Sequence, residues 1–136
     1  MQKKVIFACV HSAGRSQMSA AFFNHLADAS KAFAVAAGTQ PAERVHPEVV
    51  EAMRELDIDL TNAKPQKLTL QLARDASLLI TMGCGDECPY VPGLRREDWK
   101  LEDPKGQSAD HVRVIRDDIQ ARVAALLSAE GWSKHR

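Results

Sequence analysis

Lys3-Lys4-Val5-Ile6-Phe7-Ala8-Cys9-Val10-His11-Ser12-Ala13-Gly14-Arg15-Ser16 decides the architecture, because an apolar run ends at a thiol and a small-residue loop follows before a helical pattern begins. Residues 3–8 read as a short buried strand. From Arg15 to about Ala29 the chain reads as a helix carrying Met18, Phe22 and Leu26 on one stripe. The loop of Val10, His11, Ser12, Ala13 and Gly14 therefore joins a strand end to a helix start. Several N–H groups at such a junction have no helical acceptor, and the helix dipole turns its positive end toward them, so a tetrahedral anion is held there. The same field favours a thiolate at Cys9. Arg15 adds a planar fork able to bind two oxygens of the anion, and Ser16 can hydrogen-bond the sulfur.

The 136 residues form one domain, 1–136, large enough to bury a proper core. Eighteen basic and eighteen acidic side chains cancel, so no global field gathers nucleic acid or an anionic membrane. The N-terminal apolar run is too short for a signal peptide or a membrane span, which implies a cytoplasmic protein. Three cysteines in a cytosolic chain argue against a structural disulfide framework and for thiol chemistry or a metal.

Farther along, residues 33–38 read as a second strand ending in a glycine turn. Val45, Val49, Met53 and Leu56 recur at helical spacing, so a second helix is expected from about His46 to Leu56, with Pro47 and Glu48 at its start. Leu68 to Leu72 alternates like a strand, but Thr69 as a cap allows a short helix, and helix is the reading chosen. Residues 77–82 are a buried strand, and a shorter strand is expected over Asp98 to Leu101. Ser108 caps a final helix whose stripe is Val112, Ile115, Ile119, Val123 and Leu126. Strands alternating with helices imply a parallel sheet covered on both faces, with ligands beyond the carboxyl ends of the strands. Three loops then lie side by side, after Ala8, Met82 and Leu101.

The loop after Met82 carries Cys84 and Cys88. Two thiols at this spacing fit a reversible redox pair if Gly83 and Gly85 let the chain turn back. They also fit a zinc site completed by Cys9 and His11, or two unrelated loop cysteines. Asp103-Pro104 in the third loop is an ordinary turn by itself. Opposite a thiolate and an arginine, the Asp103 carboxyl becomes a candidate general acid.

Cys9 to Ser16, the following Gln17-Met18, the thiols after the third strand, and Trp99 to Ser108 together resemble the arsenate reductases built on the low-molecular-weight protein tyrosine phosphatase fold. The resemblance spans nearly the whole chain. It implies a three-layer α/β sandwich with a four-stranded parallel sheet flanked by helices. It also implies that Cys9 attacks arsenate, that Arg15 and the loop of residues 10–16 bind the oxyanion, and that Asp103 protonates a departing hydroxide. Cys84 would then attack Cys9, and Cys88 would resolve that disulfide into Cys84–Cys88 for an external reductant. Thioredoxin or glutathione with glutaredoxin would supply the electrons, phosphate and sulfate would compete with arsenate, and neither a metal nor an organic cofactor would be needed. Ser12 departs from many relatives, which carry Asn there.

Two other functions share parts of this pattern. A phosphatase for tyrosyl or small phosphate esters would use the first half of the same chemistry, although Lys105 and Gly106 offer no aromatic wall after Asp103-Pro104. A non-catalytic module could hold arsenite or zinc on three thiolates, but Arg15 and Asp103 suit it poorly.

Overall fold

Alternation along the first strand sets the layers of the fold. The computed structural model describes residues 2–83 and 91–134. Strand β1, Lys3–Cys9, sends Val5, Phe7 and Cys9 into one buried cluster and Ile6 and Ala8 into another on the opposite face. Helix α1, Arg15–Leu26, follows the loop, and strand β2, Ala32–Gly38, pairs parallel to β1 with Cys9 opposite Gly38. Helix α2, Pro47–Arg54, and a one-turn helix α3, Leu70–Ala73, lead to strand β3, Leu78–Thr81, which runs parallel on the other side of β1. Strand β4, Arg95–Asp98, and helix α4, Ala109–Glu130, complete the order.

The four parallel strands lie in the order β2-β1-β3-β4, so β1 is central and the chain leaves it first to one side and then to the other. That reversal places the binding crevice at the carboxyl end of β1, where Cys9 stands. The thick layer packs α1, α2 and α4 on Val5, Phe7, Leu78 and Ile80, with Phe7, Phe22, Phe23 and Met18 all fully buried. Each such side chain contributes about 1.5–3 kcal/mol of transfer free energy. Phe7 meets Phe23 edge-on at 5.9 Å between centroids and Trp99 at 5.7 Å. The other face is thinner, with Leu68 and Ala73 around α3 covering Ile6, Ala8 and Leu79. Thr69 Oγ1 caps α3 by accepting the Leu72 N–H, so helix wins over the alternating strand pattern at this segment.

Two expected boundaries are corrected. The fourth strand lies at Arg95–Asp98 rather than Asp98 to Leu101. As an edge strand it needs only main-chain pairing with β3, so its charged side chains face outward, while Trp99 and Leu101 turn onto the core after it ends. The first helix stops at Leu26 instead of about Ala29, because Ala27 adopts an extended conformation and bridges to Ser133. The expected stripe of α4 is buried throughout, from Val112 to Leu126, and the Ser108 hydroxyl caps it by accepting the His111 N–H.

Candidate active site

The loop after Cys9 is held open by where its carbonyls go. The oxygens of Cys9, Val10, His11 and Ala13 accept N–H groups from Thr39, Gln40, Ala42 and His46, at 3.2, 2.8, 2.9 and 2.9 Å. The Ser12 oxygen accepts from the Gln17 side chain, and the Gly14 oxygen accepts the Met18 N–H. Carbonyl and N–H of one peptide point in opposite directions, so carbonyls drawn outward turn the N–H groups of the loop inward. None of the N–H groups of residues 10–14 donates to a described main-chain carbonyl. The resulting cup opens at the N-terminus of the twelve-residue helix α1, where the dipole reinforces it.

Cys9 enters the cup from below because it shares the face of Val5 and Phe7. It is a free thiol, 3% exposed, with Sγ 3.2 Å from Ser16 Oγ. Ser16 Oγ lies 2.9 Å from Ser12 Oγ. Ser12 has a positive φ of 51°, a conformation that costs a non-glycine residue roughly 1–2 kcal/mol and lets the chain turn inside the loop. Gln17 anchors it by donating Nε2 to the Ser12 carbonyl at 2.9 Å.

Arg15 lies across the mouth and joins it to the loop after β4. Nη1 donates to the Leu101 carbonyl at 3.2 Å, and Nη2 lies 3.8 Å from Asp103 Oδ2. Glycine at 83 suits this contact: its φ is +85°, and a Cβ would stand 2.6 Å from Arg15 Nη1, so any larger residue displaces the end of the arginine. Asp103 itself is half-exposed and also closes its own turn, accepting the Lys105 N–H at 3.0 Å. The ordinary-turn reading and the placement beside the arginine therefore hold together. The turn rests directly on the cup, since a Cβ on Gly14 would meet Pro104 Cγ at 2.7 Å. Two further contacts fasten it. Glu48, in the first turn of α2, accepts the Gly106 N–H at 2.8 Å, and that bond holds the Glu48 carboxyl below the usual range. Glu102 meets His111 Nε2 at 2.7 Å.

The structure thus brings together Cys9, Ser12, Ser16, Arg15 and Asp103 from the expected set. Val10, Ala13 and Gly14 take part through their main chain. His11 turns out of the cup, exposed, with Nδ1 3.0 Å from the Gln40 carbonyl. Cys84 and Cys88 lie outside the described residues, and with them the choice between redox pair and zinc ligands. Among the described residues no cluster of three His, Cys, Asp or Glu side chains could hold a metal ion, and no helix is long and apolar enough to cross a membrane. Sequence reasoning missed Glu48, the Leu101 carbonyl and the work of Gln17. A polar residue in the first turn of a helix at a loop was a visible hint for Gln17. Nothing local signals Glu48, which is fifty-eight residues from its partner.

A loop that starts at a buried thiol on the end of a central parallel strand, leads into a helix and carries an arginine beside it defines an α/β protein with a thiol at the carboxyl edge of its sheet. Residues 4–134 match the family model described as low molecular weight phosphotyrosine protein phosphatase, and the chain belongs to that family. Among its relatives is the glutaredoxin arsenate reductase of Synechocystis sp., 35% identical over 129 residues that cover 93% of this chain and 97% of the relative. The thioredoxin-dependent arsenate reductase of Corynebacterium glutamicum superposes with a TM-score of 0.79 at 36% identity; the match covers 93% of this chain but only 61% of that one. An arsenate reductase solved in its phosphate binding state gives 0.81 at 32% identity, covering 93% of this chain and 98% of that one.

Proposed function

We propose that this protein reduces arsenate to arsenite, with Cys9 as the nucleophile. The observation that carries the reading is the buried Cys9 Sγ at the base of an N–H-lined cup, with Arg15 at its mouth beside Asp103. The arsenate reductase names of the relatives at 35% and 36% identity support that substrate over a phosphate ester. Arsenate binds with its oxygens on the loop N–H groups and the Arg15 fork. The Cys9 thiolate attacks As(V), forming an S–As bond, and Asp103 gives a proton to the hydroxide that leaves as water. Cys84 then attacks Cys9 Sγ. The S–As electron pair goes to arsenic, which departs as arsenite, and a Cys9–Cys84 disulfide forms. Cys88 attacks Cys84, releasing the Cys9 thiolate and leaving Cys84–Cys88. A thioredoxin or a glutaredoxin with glutathione returns the two electrons, and phosphate or sulfate competes for the cup. The relay is one thiol exchange after another, so the order of attack follows which sulfur each step makes accessible.

The family match keeps ester hydrolysis as a second reading, because attack by Cys9 on phosphate would need the same cup. Single turnover separates the two. Fully reduced protein given arsenate alone is expected to release one arsenite per chain and to carry a Cys84–Cys88 bridge on mass mapping. No arsenite and three free thiols, with turnover of aryl phosphates that survives Cys84→Ser, would refute the reductase reading.

A further inference from the structure

Cys9 Sγ, Ser16 Oγ, Ser12 Oγ and Gln17 Nε2 form one continuous line, with successive separations of 3.2, 2.9 and 3.3 Å. All four residues are buried: Ser12 and Ser16 completely, Cys9 to 3% exposure and Gln17 to 6%. Each hydroxyl has one proton, so the direction of donation along the line is settled among these groups. Gln17 settles it. Its side-chain nitrogen also donates to the Ser12 carbonyl at 2.9 Å. A carbonyl oxygen only accepts, so the NH2 group and not the amide oxygen must face Ser12. The same NH2 group also lies within donating distance of Ser12 Oγ, at 3.3 Å. If Ser16 donated to Ser12 as well, the Ser12 proton would be left with no acceptor in the line, a loss that buried hydroxyls avoid. Ser12 therefore donates onward to Ser16, and the Ser16 proton is left for the sulfur once Cys9 is a thiolate, whereas the neutral thiol itself donates to Ser16 Oγ at the same 3.2 Å.

We propose that Gln17 is a positioning residue that polarises this relay, so that Ser16 presents its proton to the Cys9 thiolate. The inference rests on the reading of Cys9 as an attacking thiolate and adds what holds that thiolate ready. The Gln17 side chain bonds Ser12 and not the sulfur, so it acts through two hydroxyls. It also explains how a loop with Ser12 keeps a fixed donor order, since a serine by itself can donate in either direction.

Thiolate formation is read by the rate of Cys9 alkylation with iodoacetamide across pH, with the labelled peptide resolved by mass, in the full-length reduced chain. Among the described residues, the charged and titratable groups around the loop are Arg15 from α1, His46 at the head of α2, Asp103 from the loop after β4, and His11; all are retained in every variant. Gln17→Met keeps the shape and removes the donor. Its half-maximal pH is expected to rise by about one unit, which is about a tenfold loss of Cys9 alkylation at pH values below both midpoints. Ser12→Gly keeps the left-handed backbone and removes the middle hydroxyl together with its methylene, and the same upward shift is expected. The double variant should move no farther than the larger single shift, because both break one line. An unchanged profile in Ser12→Gly would overturn the proposal, leaving Gln17 as an anchor of the loop backbone alone. An unchanged profile in a folded Gln17→Met would overturn it equally, and should Gln17→Met not fold, Gln17→Leu takes its place with the same two outcomes. Alkylation needs no arsenate, so its outcome is separate from arsenite release by the unmodified protein, which tests the reductase reading.

Discussion

Gly83→Ala puts a methyl group where the guanidinium of Arg15 now lies. The new Cβ would be 2.6 Å from Nη1 and 3.4 Å from Cζ. Ordinary contact begins near 3.4 Å, so the end of Arg15 must retreat by about 0.8 Å, and errors of that size in a binding group cost up to about a hundredfold. The retreat also stretches the 3.2 Å bond from Nη1 to the Leu101 carbonyl. A second penalty is conformational: alanine at φ +85° costs roughly 1–2 kcal/mol, which for a domain of this size lowers Tm by roughly 3–8 °C. The stability loss is modest, and the anion site should bear the larger effect. A charge-assisted contact is worth about 1.5–3 kcal/mol, so phosphate should bind at least about tenfold more weakly. The assay is protection of Cys9 from iodoacetamide by added phosphate, which reads the cup without any step at Cys84. A half-protecting phosphate concentration within about twofold of the unmodified protein, with the fold intact, would refute this account of Gly83.

Two further outcomes follow from contacts remote from the thiol. Glu48→Ala removes the acceptor of the Gly106 N–H, and with it one fastening of the Asp103 turn. Arsenate turnover should fall by about three- to tenfold with little change in Tm, the size expected for one half-exposed charge-assisted bond; unchanged steady-state rates would show that the turn needs no such support. Glu55 binds Arg113 and Arg116 of α4, and hydrogen bonds from those guanidinium groups, Arg113 foremost, lower its carboxyl from the usual 4.5 to about 2. A depressed carboxyl stabilises the fold above its unfolded value and loses that contribution as pH falls through about 2. Glu55→Gln should therefore lower Tm at pH 7, with the difference shrinking as the pH falls from 4.5 toward 2; a gap that stays constant over that range in thermal scans would contradict the assignment.

Features built from contiguous residues were legible in the sequence. The unbroken apolar run from Val5 to Ala8 marks a buried strand that stops at Cys9, and the structure adds that Cys9 lies on the face of Val5 and Phe7. The stripe from Val112 to Leu126 needs only the helical period, and the loop from Val10 to Gly14 needs only its small residues between a strand and a helix. The candidate nucleophile, its serine and its arginine all lie within eight positions, so one stretch of chain carries half the site.

The rest depended on where distant segments came to lie. Strand β4 is charged and exposed, and only its pairing with β3 makes it a strand. Arg15 and Leu101 are eighty-six residues apart, and Glu48 and Gly106 fifty-eight. No periodicity records such contacts, because they arise when parallel strands bring their loops to one edge of the sheet. Gln17 is the instructive intermediate case. Its position beside the loop was visible, but the direction of its two donated bonds follows from the left-handed turn at Ser12, which only the folded backbone shows. Local chemistry and periodicity determined which residues could act; packing decided which of them face one another, because a hydrogen bond depends on distance and direction in space and not on separation along the chain.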